Sequence, residues 1–287
     1  MKKIVIALDS FKGCLTSAEA GKAAAEGVHA ACPGCHTVVL PVADGGEGML
    51  DVLLAAGNGK RITVRAHDPL MRVRNASYGI SGDGNTAFIE MAAISGLPLV
   101  PADERNPMRT TTFGTGELIR DALERGCTRF VIGLGGSATN DAGLGMLQAL
   151  GFRFFDKDGC EVGNTEKGIA LCGGLLSGIS SIDSSFAHPA LRKACFTAAC
   201  DVRNPFFGAH GAAHVFAPQK GADEDMVKEL DSAMRHLSDT ILRTTGKDIS
   251  TYPGAGAAGG MGGGLYAFLD ARVKPGIELL LETLAFA

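Results

Sequence analysis

The N-terminal part of the chain alternates apolar strand-like segments with helices, and this pattern restricts the fold more than any other feature of the sequence. Residues 2–8 and 36–42 are predicted strands. Between them, residues 16–19 read Thr-Ser-Ala-Glu, a capping box that predicts a helix reaching about Ala31. A second apolar helix is predicted to end near Gly57. Strands and helices at this spacing predict βαβ units and therefore a parallel sheet.

The composition is that of a globular protein and argues against two classes of partner. Of 287 residues, 46% are hydrophobic and 20% are charged, which does not suit a disordered chain. The formal net charge is -4, and no cluster of Lys and Arg offers the basic surface that nucleic-acid binding needs. No apolar run approaches the roughly 20 residues of a membrane-spanning helix. We therefore expect neither nucleic acid nor a membrane as a partner.

The start of the chain and its cysteines predict a cytoplasmic protein. Residues 2–8 are too short an apolar stretch for a signal peptide, and Asp9 ends them, so a first β-strand is the better interpretation. The eight cysteines occur singly except for Cys32 and Cys35, which we interpret as a helix end at a Pro-Gly turn rather than a redox pair. Reduced thiols in the cytosol are expected.

The pattern changes after about Ala66, where we place a boundary between a βαβ domain and a mixed α/β domain. Residues 72–80 and 86–91 flank Ser-Gly-Asp-Gly-Asn, a strong hairpin signal, and residues 152–159 suggest a second hairpin. Further strands are predicted at 129–134 and 196–200, and further helices at 117–125 and 224–243.

Four segments that combine glycine with polar side chains follow predicted strands. Glycines let backbone N–H groups approach an anion, and a following helix N-terminus adds favourable partial charge. Carboxylates hold Mg²⁺ or accept a proton. One such segment is usually a structural turn, but four in one chain predict a cleft that handles phosphate. The segments are Asp9-Ser10-Phe11-Lys12-Gly13, Asp44-Gly45-Gly46-Glu47-Gly48, Gly135-Gly136-Ser137-Ala138-Thr139-Asn140-Asp141, and Asp201 through Asn204.

A glycine-rich run at residues 254–264 contains the spacing G-x-G-x-x-G as Gly254, Gly256 and Gly259. A dinucleotide site requires this spacing between a strand and a helix, and no apolar strand precedes it here. We interpret the run as a nucleotide-contacting loop or a tight packing element rather than a dehydrogenase motif. The P-loop and protein-kinase signatures are absent.

A zinc site and a hydrolase nucleophile are both weakly supported. His210 and His214 have the spacing of metal ligands on one helix face, but no third ligand is apparent and Gly211 weakens a helix there. Ser137 lacks the G-x-S-x-G elbow of the hydrolases. We therefore expect neither site.

Taken together, these segments resemble the bacterial glycerate kinase type-1 family, from end to end of the chain and in the family's order. The resemblance includes residues 111–117, 201–205, 218–221 and 254–260. Each motif is weak alone, and the combination is highly specific. The resemblance implies ATP-dependent phosphorylation of D-glycerate, usually on the 2-hydroxyl, giving 2-phospho-D-glycerate, with ATP and Mg²⁺ as cofactors.

The resemblance also implies two α/β domains with the active site in the cleft between them. A Rossmann-like parallel-sheet domain would comprise residues 1–66 and 276–287, and residues 67–275 would form an inserted mixed α/β domain. Family members continue past the helix predicted at residues 275–286, so we expect a C-terminal truncation that leaves the first domain incomplete, with an open sheet edge. Two alternatives stay open: a kinase for another small hydroxy acid, and an inactive truncated fragment.

Phosphoryl transfer depends on in-line positioning and charge neutralisation. We expect Lys12 and Lys220 to neutralise phosphate or the glycerate carboxylate. Asp201 or Asp44 would accept the hydroxyl proton or bind Mg²⁺, with Asp201 as the metal ligand of choice. The sequence leaves the oligomeric state open, including a homo-oligomer. The predicted substrate- or nucleotide-binding residues are Asp9, Ser10, Gly45, Gly46, Glu47, Gly135, Gly136, Ser137, Thr139, Asn140, Asp141, Asn204, Gln219, Lys220, Gly254, Gly256 and Gly259.

Overall fold

The computed structural model describes residues 2–8, 11, 14–40, 42, 49–56, 58–164 and 167–283. Within these residues the chain forms ten strands and nine α-helices. The strands are β1 (Lys3–Ile6), β2 (His36–Val39), β3 (Lys60–His67), β4 (Val73–Ile80), β5 (Thr86–Glu90), β6 (Arg129–Gly133), β7 (Arg153–Phe155), β8 (Ser181–Asp183), β9 (Cys195–Ala199) and β10 (Arg272–Lys274). The helices are α1 (Ser17–Ala31), α2 (Met49–Ala56), α3 (Ala92–Ser95), α4 (Phe113–Glu124), α5 (Leu144–Ala149), α6 (Ala212–Phe216), α7 (Glu224–Thr245), α8 (Met261–Leu269) and α9 (Gly276–Thr283).

The predicted βαβ unit at the N-terminus is confirmed. Strands β1 and β2 pair in parallel and α1 connects them. The capping box forms as expected, because the Thr16 hydroxyl accepts from the Glu19 N–H at 3.2 Å and Glu19 Oε2 accepts from the Thr16 N–H at 2.8 Å. Helix α1 ends at Ala31, with Cys32 as its C-cap and a free thiol at both Cys32 and Cys35.

A six-stranded mixed sheet, in the order β10-β9-β6-β5-β4-β3, forms the main framework. The hairpin predicted around residues 81–85 is confirmed, because β4 pairs with β5 in antiparallel fashion. Strands β5, β6, β9 and β10 run parallel to one another. Their carboxyl ends therefore meet at one edge of the sheet, which is where ligands bind in open α/β sheets.

The two faces of this sheet are covered by different helices. On β6, Phe130 and Ile132 face the large core, and Phe130 stacks on Phe196 of β9 with ring centroids 4.7 Å apart. Val131, between them, faces a smaller cluster that holds Leu53 of α2 and Leu279 of α9. This alternation follows from the period of two in a strand, and it places α2 and α9 on the same side of the sheet.

Strand β3 lies wholly within the six-stranded sheet, since it pairs with β4 from Lys60 opposite Ile80 to His67 opposite Val73. Residues 60–66 therefore share a sheet with β4, although the predicted domain boundary near Ala66 lies between them and that strand. The division into a domain of residues 1–66 and 276–287 and a domain of residues 67–275 stays a prediction.

Two local predictions differ from the structure. Helix α4 begins at Phe113, four residues before the predicted start at Glu117, and therefore includes Gly114 and Gly116. Both glycines lie against backbone that a side chain would hit. A Cβ at Gly114 would lie 1.9 Å from the His67 carbonyl oxygen. At residues 152–159 the predicted hairpin is reduced to a turn with a single bridge from Phe155 to Glu161, and β7 pairs with β8 instead.

Among the described residues, no helix is both long enough and apolar enough to cross a membrane.

Candidate active site

A cleft of about 740 Å³ lies at the carboxyl ends of β5, β6 and β9. Each of these strands contributes the residues at or after its end: Glu90 from β5, the Gly135–Ser137 loop from β6, and Asp201 from β9. Lys220 and the neighbouring Gln219 also line the cleft. The topology thus gathers polar groups that are distant in sequence.

The structure brings together part of the predicted site. Thr139, Asn140 and Asp141 are buried behind the cleft wall. Seven predicted residues lie outside the described part of the chain, and their roles stay predictions: Asp9, Ser10, Lys12, Asp44, Gly45, Gly46 and Glu47. Six predicted residues line the cleft: Gly135, Gly136, Ser137, Asp201, Gln219 and Lys220.

The loop that follows β6 is held in place by main-chain hydrogen bonds to the end of α3. The Leu97 N–H donates to the Gly136 carbonyl at 2.8 Å, and the Ala138 N–H donates to the Ser95 carbonyl at 2.9 Å. Gly136 has φ +73°, a conformation that favours glycine. The Ser137 side chain is therefore presented to the cleft from a fixed backbone.

Lys220 is buried, with only 1% of its surface exposed. Its Nζ donates to Ser137 Oγ at 2.8 Å and to the Thr139 carbonyl oxygen at 2.6 Å. Burial disfavours the charged amine and lowers the pKa of Lys220 to about 7, while the Asp141 carboxylate acts in the opposite direction. The amine thus changes its charge close to neutral pH.

Asp141 is a structural anchor between two helix starts. Its carboxylate accepts from the Thr112 N–H and hydroxyl, both at 2.7 Å, and from the N–H groups of Gly143 at 3.2 Å and Gly145 at 3.3 Å. Burial raises the pKa of Asp141, and these hydrogen bonds oppose the rise. Because it is fully buried and saturated with donors, Asp141 joins α4 to α5 and does not reach the cleft.

Asp201 lines the cleft and caps the start of α9. Its Oδ1 accepts from the Gly276 N–H at 3.1 Å, where the helix dipole favours a negative charge. A carboxylate offers about four lone-pair sites, so Asp201 retains acceptor capacity toward a ligand. Asp201 is exposed to solvent, so a ligand in the cleft can reach its carboxylate.

The carboxylates that line the cleft are ligands of the kind that hold Mg²⁺ together with phosphate. Mg²⁺ is usually held by one or two carboxylates and by the phosphates of a substrate, and Asp201 and Glu90 both line the cleft. Among the described residues, no group of three or more His, Cys, Asp or Glu side chains is placed to hold a metal by itself. The binding of Mg²⁺ predicted from the sequence stays a prediction.

The glycine-rich run serves close packing. A Cβ at Gly256 would lie 2.2 Å from the Pro205 carbonyl oxygen, and one at Gly259 would lie 2.0 Å from that of Thr139. Gly256 also donates its N–H to the Asn204 carbonyl at 3.0 Å, and Asn204 Nδ2 donates to the His210 carbonyl at 2.9 Å.

The close packing of the run also shapes the cleft wall. Of residues 254–260, Ala257 and Ala258 line the cleft, while Gly254 is held near Val273. The binding roles predicted for Gly254, Gly256, Gly259 and Asn204 stay predictions. The structure shows the three glycines bringing the two alanines to the cleft.

Sequence reasoning missed Glu90. It ends β5 and lines the cleft, and its Oε1 accepts from the Leu50 N–H at 2.8 Å, near the start of α2. The available signal was an acid at the end of an apolar strand, which resembles the position of Asp201 just after β9. The sequence predicts residues 86–91 only as the second arm of a hairpin, with Glu90 inside that strand.

A partly parallel sheet, with a cleft at its carboxyl edge that carries a few polar side chains, defines an α/β protein of the class that binds small ligands between strand ends. Within that class, this chain belongs to the glycerate kinase family, whose model matches residues 4–287. The family resemblance predicted from the sequence motifs is therefore confirmed, and the protein is an enzyme of the kinase type.

Individual relatives agree with this assignment. The chain is 49% identical over 282 residues to glycerate 2-kinase of Escherichia coli K12, which covers 98% of this chain and 72% of the relative. It is 48% identical over 284 residues to glycerate kinase of Bacillus subtilis 168, covering 99% and 72%. A crystal structure assigned to glycerate kinase 2 of Salmonella typhimurium LT2 superposes with a TM-score of 0.90 at 44% identity, covering 99% of this chain and 74% of that one. The predicted α/β fold class is confirmed.

Proposed function

We propose that this protein transfers the γ-phosphoryl group of ATP to the 2-hydroxyl of D-glycerate and releases 2-phospho-D-glycerate and ADP. The observation that carries the proposal is the 49% identity to glycerate 2-kinase along 98% of the chain. The cleft adds physical support, because it combines a glycine-serine loop and a buried lysine with two carboxylates at the carboxyl edge of the sheet.

The residues divide between anion binding and proton transfer. In the proposed reaction, the Ser137 hydroxyl and the glycine-rich loop before it bind phosphate or the glycerate carboxylate, with charge supplied by Lys220 and Lys12. Asp201 or Asp44 accepts the proton of the 2-hydroxyl as that oxygen attacks the γ-phosphorus. Mg²⁺, when bound with ATP, neutralises phosphate oxygens, and Asp201 and Glu90 are the described side chains placed to hold it.

A coupled assay of ADP release tests the reaction. We expect ADP formation that depends on D-glycerate and Mg²⁺, and a phosphorus NMR spectrum of the product that matches 2-phospho-D-glycerate. ADP release with a different hydroxy acid, and none with D-glycerate, would contradict the proposed substrate. A product phosphorylated on the 3-hydroxyl would contradict the proposed position.

A second protein is needed to test whether this chain is an inactive fragment. A form extended by the part of the Escherichia coli relative that this chain does not match is assayed beside this chain. Comparable turnover in both forms supports catalysis by this chain, whereas turnover in the extended form alone identifies this chain as an inactive fragment. In whichever form is active, Lys12→Ala is expected to abolish turnover without unfolding the protein.

A further inference from the structure

We propose that Lys220 acts on the bound anion through Ser137, as a proton-linked positioning residue. In this arrangement the protonated ammonium turns the Ser137 hydroxyl toward the cleft, and binding of an anion there takes up a proton at Lys220. The inference deepens the proposed function and rests on it only for the identity of the anion, a carboxylate or a phosphate.

The direction of the hydrogen bond fixes the orientation of the serine. An ammonium group has only donors, so at 2.8 Å from Lys220 Nζ the Ser137 oxygen must accept. Its own hydrogen then points away from Lys220 and is available to another acceptor. Ser137 lies on the cleft wall, so a ligand in the cleft is in reach of that hydrogen.

Burial explains why Lys220 acts on the ligand indirectly, through Ser137. Lys220 is 1% exposed, and a second hydrogen bond ties its Nζ to the Thr139 carbonyl oxygen at 2.6 Å. With two of its three hydrogens on protein atoms, the ammonium is committed to the loop after β6. Lys220 also lines the cleft, but these two bonds hold its ammonium against the loop, so the donor that it strengthens toward a ligand is the Ser137 hydroxyl.

Loss of the proton reverses the arrangement. A neutral amine carries a lone pair, so Lys220 can then accept the Ser137 hydrogen, and in that arrangement the hydroxyl no longer donates into the cleft. The pKa of Lys220 lies at about 7, so both forms are populated near neutral pH. An anion beside Ser137 favours the charged form, and by linkage the charged form favours the anion.

Other charged groups lie near Lys220 and Ser137 and affect the charge of the amine. Asp141 lies behind the loop and favours the ammonium, without cancelling the effect of burial. The carboxylates on the cleft wall compete with a bound anion for positive charge. Among the described residues, the elements around Lys220 carry these titratable and charged groups: Asp141, Arg105 beside Gly221, His214 on α6, and Glu90 and Asp201 on the cleft wall.

Isothermal titration calorimetry at pH 6 and pH 8 tests the proposal. The probes are sulfate and D-glycerate, because neither titrates in that range. Buffers of different ionisation enthalpy report the number of protons taken up. With a pKa near 7 in the free protein, we expect wild type to bind both anions about tenfold more weakly at pH 8 than at pH 6 and to take up nearly one proton at pH 8.

Three variants assign the effect. Lys220→Met should bind both anions weakly and equally at the two pH values, without proton uptake. Ser137→Ala keeps the lysine and should bind sulfate about tenfold more weakly than wild type at pH 6. Lys228→Met, in an exposed lysine paired with Asp225 on α7, should behave as wild type. Thermal unfolding of each variant confirms that it is folded.

Several results would overturn the proposal. These are equal anion affinity of wild type at pH 6 and pH 8, the wild-type pH dependence in Lys220→Met, full affinity in Ser137→Ala, or no binding of either anion to wild type. The proposed function fails separately. Proton-linked binding of sulfate without binding of D-glycerate contradicts the substrate but supports this inference, and turnover of D-glycerate without proton uptake does the reverse.

Discussion

The Asp141 carboxylate accepts two hydrogen bonds from Thr112, one from its backbone N–H and one from its hydroxyl, both at 2.7 Å. Thr112 precedes α4, and Asp141 precedes α5, so this pair fixes the two helix starts relative to each other. Through the same segment, it also fixes Ser137 and Thr139, the two partners of Lys220.

Replacement of Asp141 by Asn should therefore destabilise the fold. The amide turns one acceptor oxygen into a donor that faces backbone N–H groups, and an unsatisfied buried group of this kind costs about 1–3 kcal/mol. Urea unfolding measures the loss. Asp225→Asn, on the exposed face of α7, is the matched control and should stay within about 0.5 kcal/mol of wild type. Equal stability of the two variants would show that Asp141 is not an anchor.

The pH dependence of stability should carry the signature of Lys220. Its pKa is about 7 in the folded protein and about 10.4 in the unfolded chain. Between these values the unfolded state binds more protons, so the contribution of Lys220 to stability is constant below pH 7 and rises with pH through that window.

Comparison with Lys220→Met isolates the contribution of Lys220 to the pH dependence of stability. The free energy of unfolding of wild type, minus that of Lys220→Met, should increase by more than 1 kcal/mol between about pH 7 and pH 9, since a full pKa unit corresponds to about 1.4 kcal/mol. Buried thiols, such as Cys172, whose pKa is raised by burial, contribute equally to the pH dependence of both proteins, so their contribution cancels in this difference. A difference that is flat or falls with pH would mean that the buried amine is not neutralised on folding.

Gly259 and Gly246 offer a matched pair of glycines with positive φ, at +65° and +74°. An Ala at Gly246 meets nothing within 4 Å and should cost about 1–2 kcal/mol from backbone strain alone. An Ala at Gly259 would place its Cβ 2.0 Å from the Thr139 carbonyl oxygen, which accepts from Lys220. We expect Gly259→Ala to lose more stability than Gly246→Ala and to lose anion binding as well. Equal losses in chemical denaturation would argue against close packing of the run.

Asp201→Asn tests proton transfer with little structural disturbance. The Asn Oδ1 still accepts from the Gly276 N–H, so the thermal unfolding midpoint should hold. If Asp201 is the base, kcat should fall by about 10²–10⁴-fold, the usual contribution of a general base. A kcat within a few-fold of wild type would remove Asp201 from that role and leave Asp44.

Local sequence signals predicted local structure well. The capping box at Thr16, the hairpin around residues 81–85 and the strand that became β6 all depend on neighbours in sequence, and all are present. The order β9-β6-β5 is different, because it joins strands that lie dozens of residues apart. No local pattern specifies which strands become neighbours, so the position of Glu90 beside the loop after β6 could not be anticipated.

The glycines show the same limit. Gly114 and Gly116 weaken a helix by their intrinsic propensity, yet they lie inside α4. His67 and Met146 approach them so closely that these positions have no room for a Cβ. In the run at residues 254–264, the sequence left a ligand-contacting loop and a packing element as alternatives. The three-dimensional contacts of Gly256 and Gly259 show that these positions have no room for a Cβ, while contact of the run with a ligand stays a prediction.

In the proposed reaction, D-glycerate is phosphorylated in the cleft beside Ser137, Asp201 and Lys220. Ala93 lines this cleft, whereas Ala30 is exposed on α1, so Ala93→Phe fills the cleft and Ala30→Phe is its control. The decisive measurement is the initial rate of D-glycerate-dependent ADP formation by wild type and by both variants, each shown to be folded by thermal unfolding. We predict that Ala93→Phe loses at least about tenfold in rate, because a misplaced substrate loses the benefit of in-line positioning, while Ala30→Phe keeps the wild-type rate. A folded Ala93→Phe protein that turns over as fast as wild type would contradict the account.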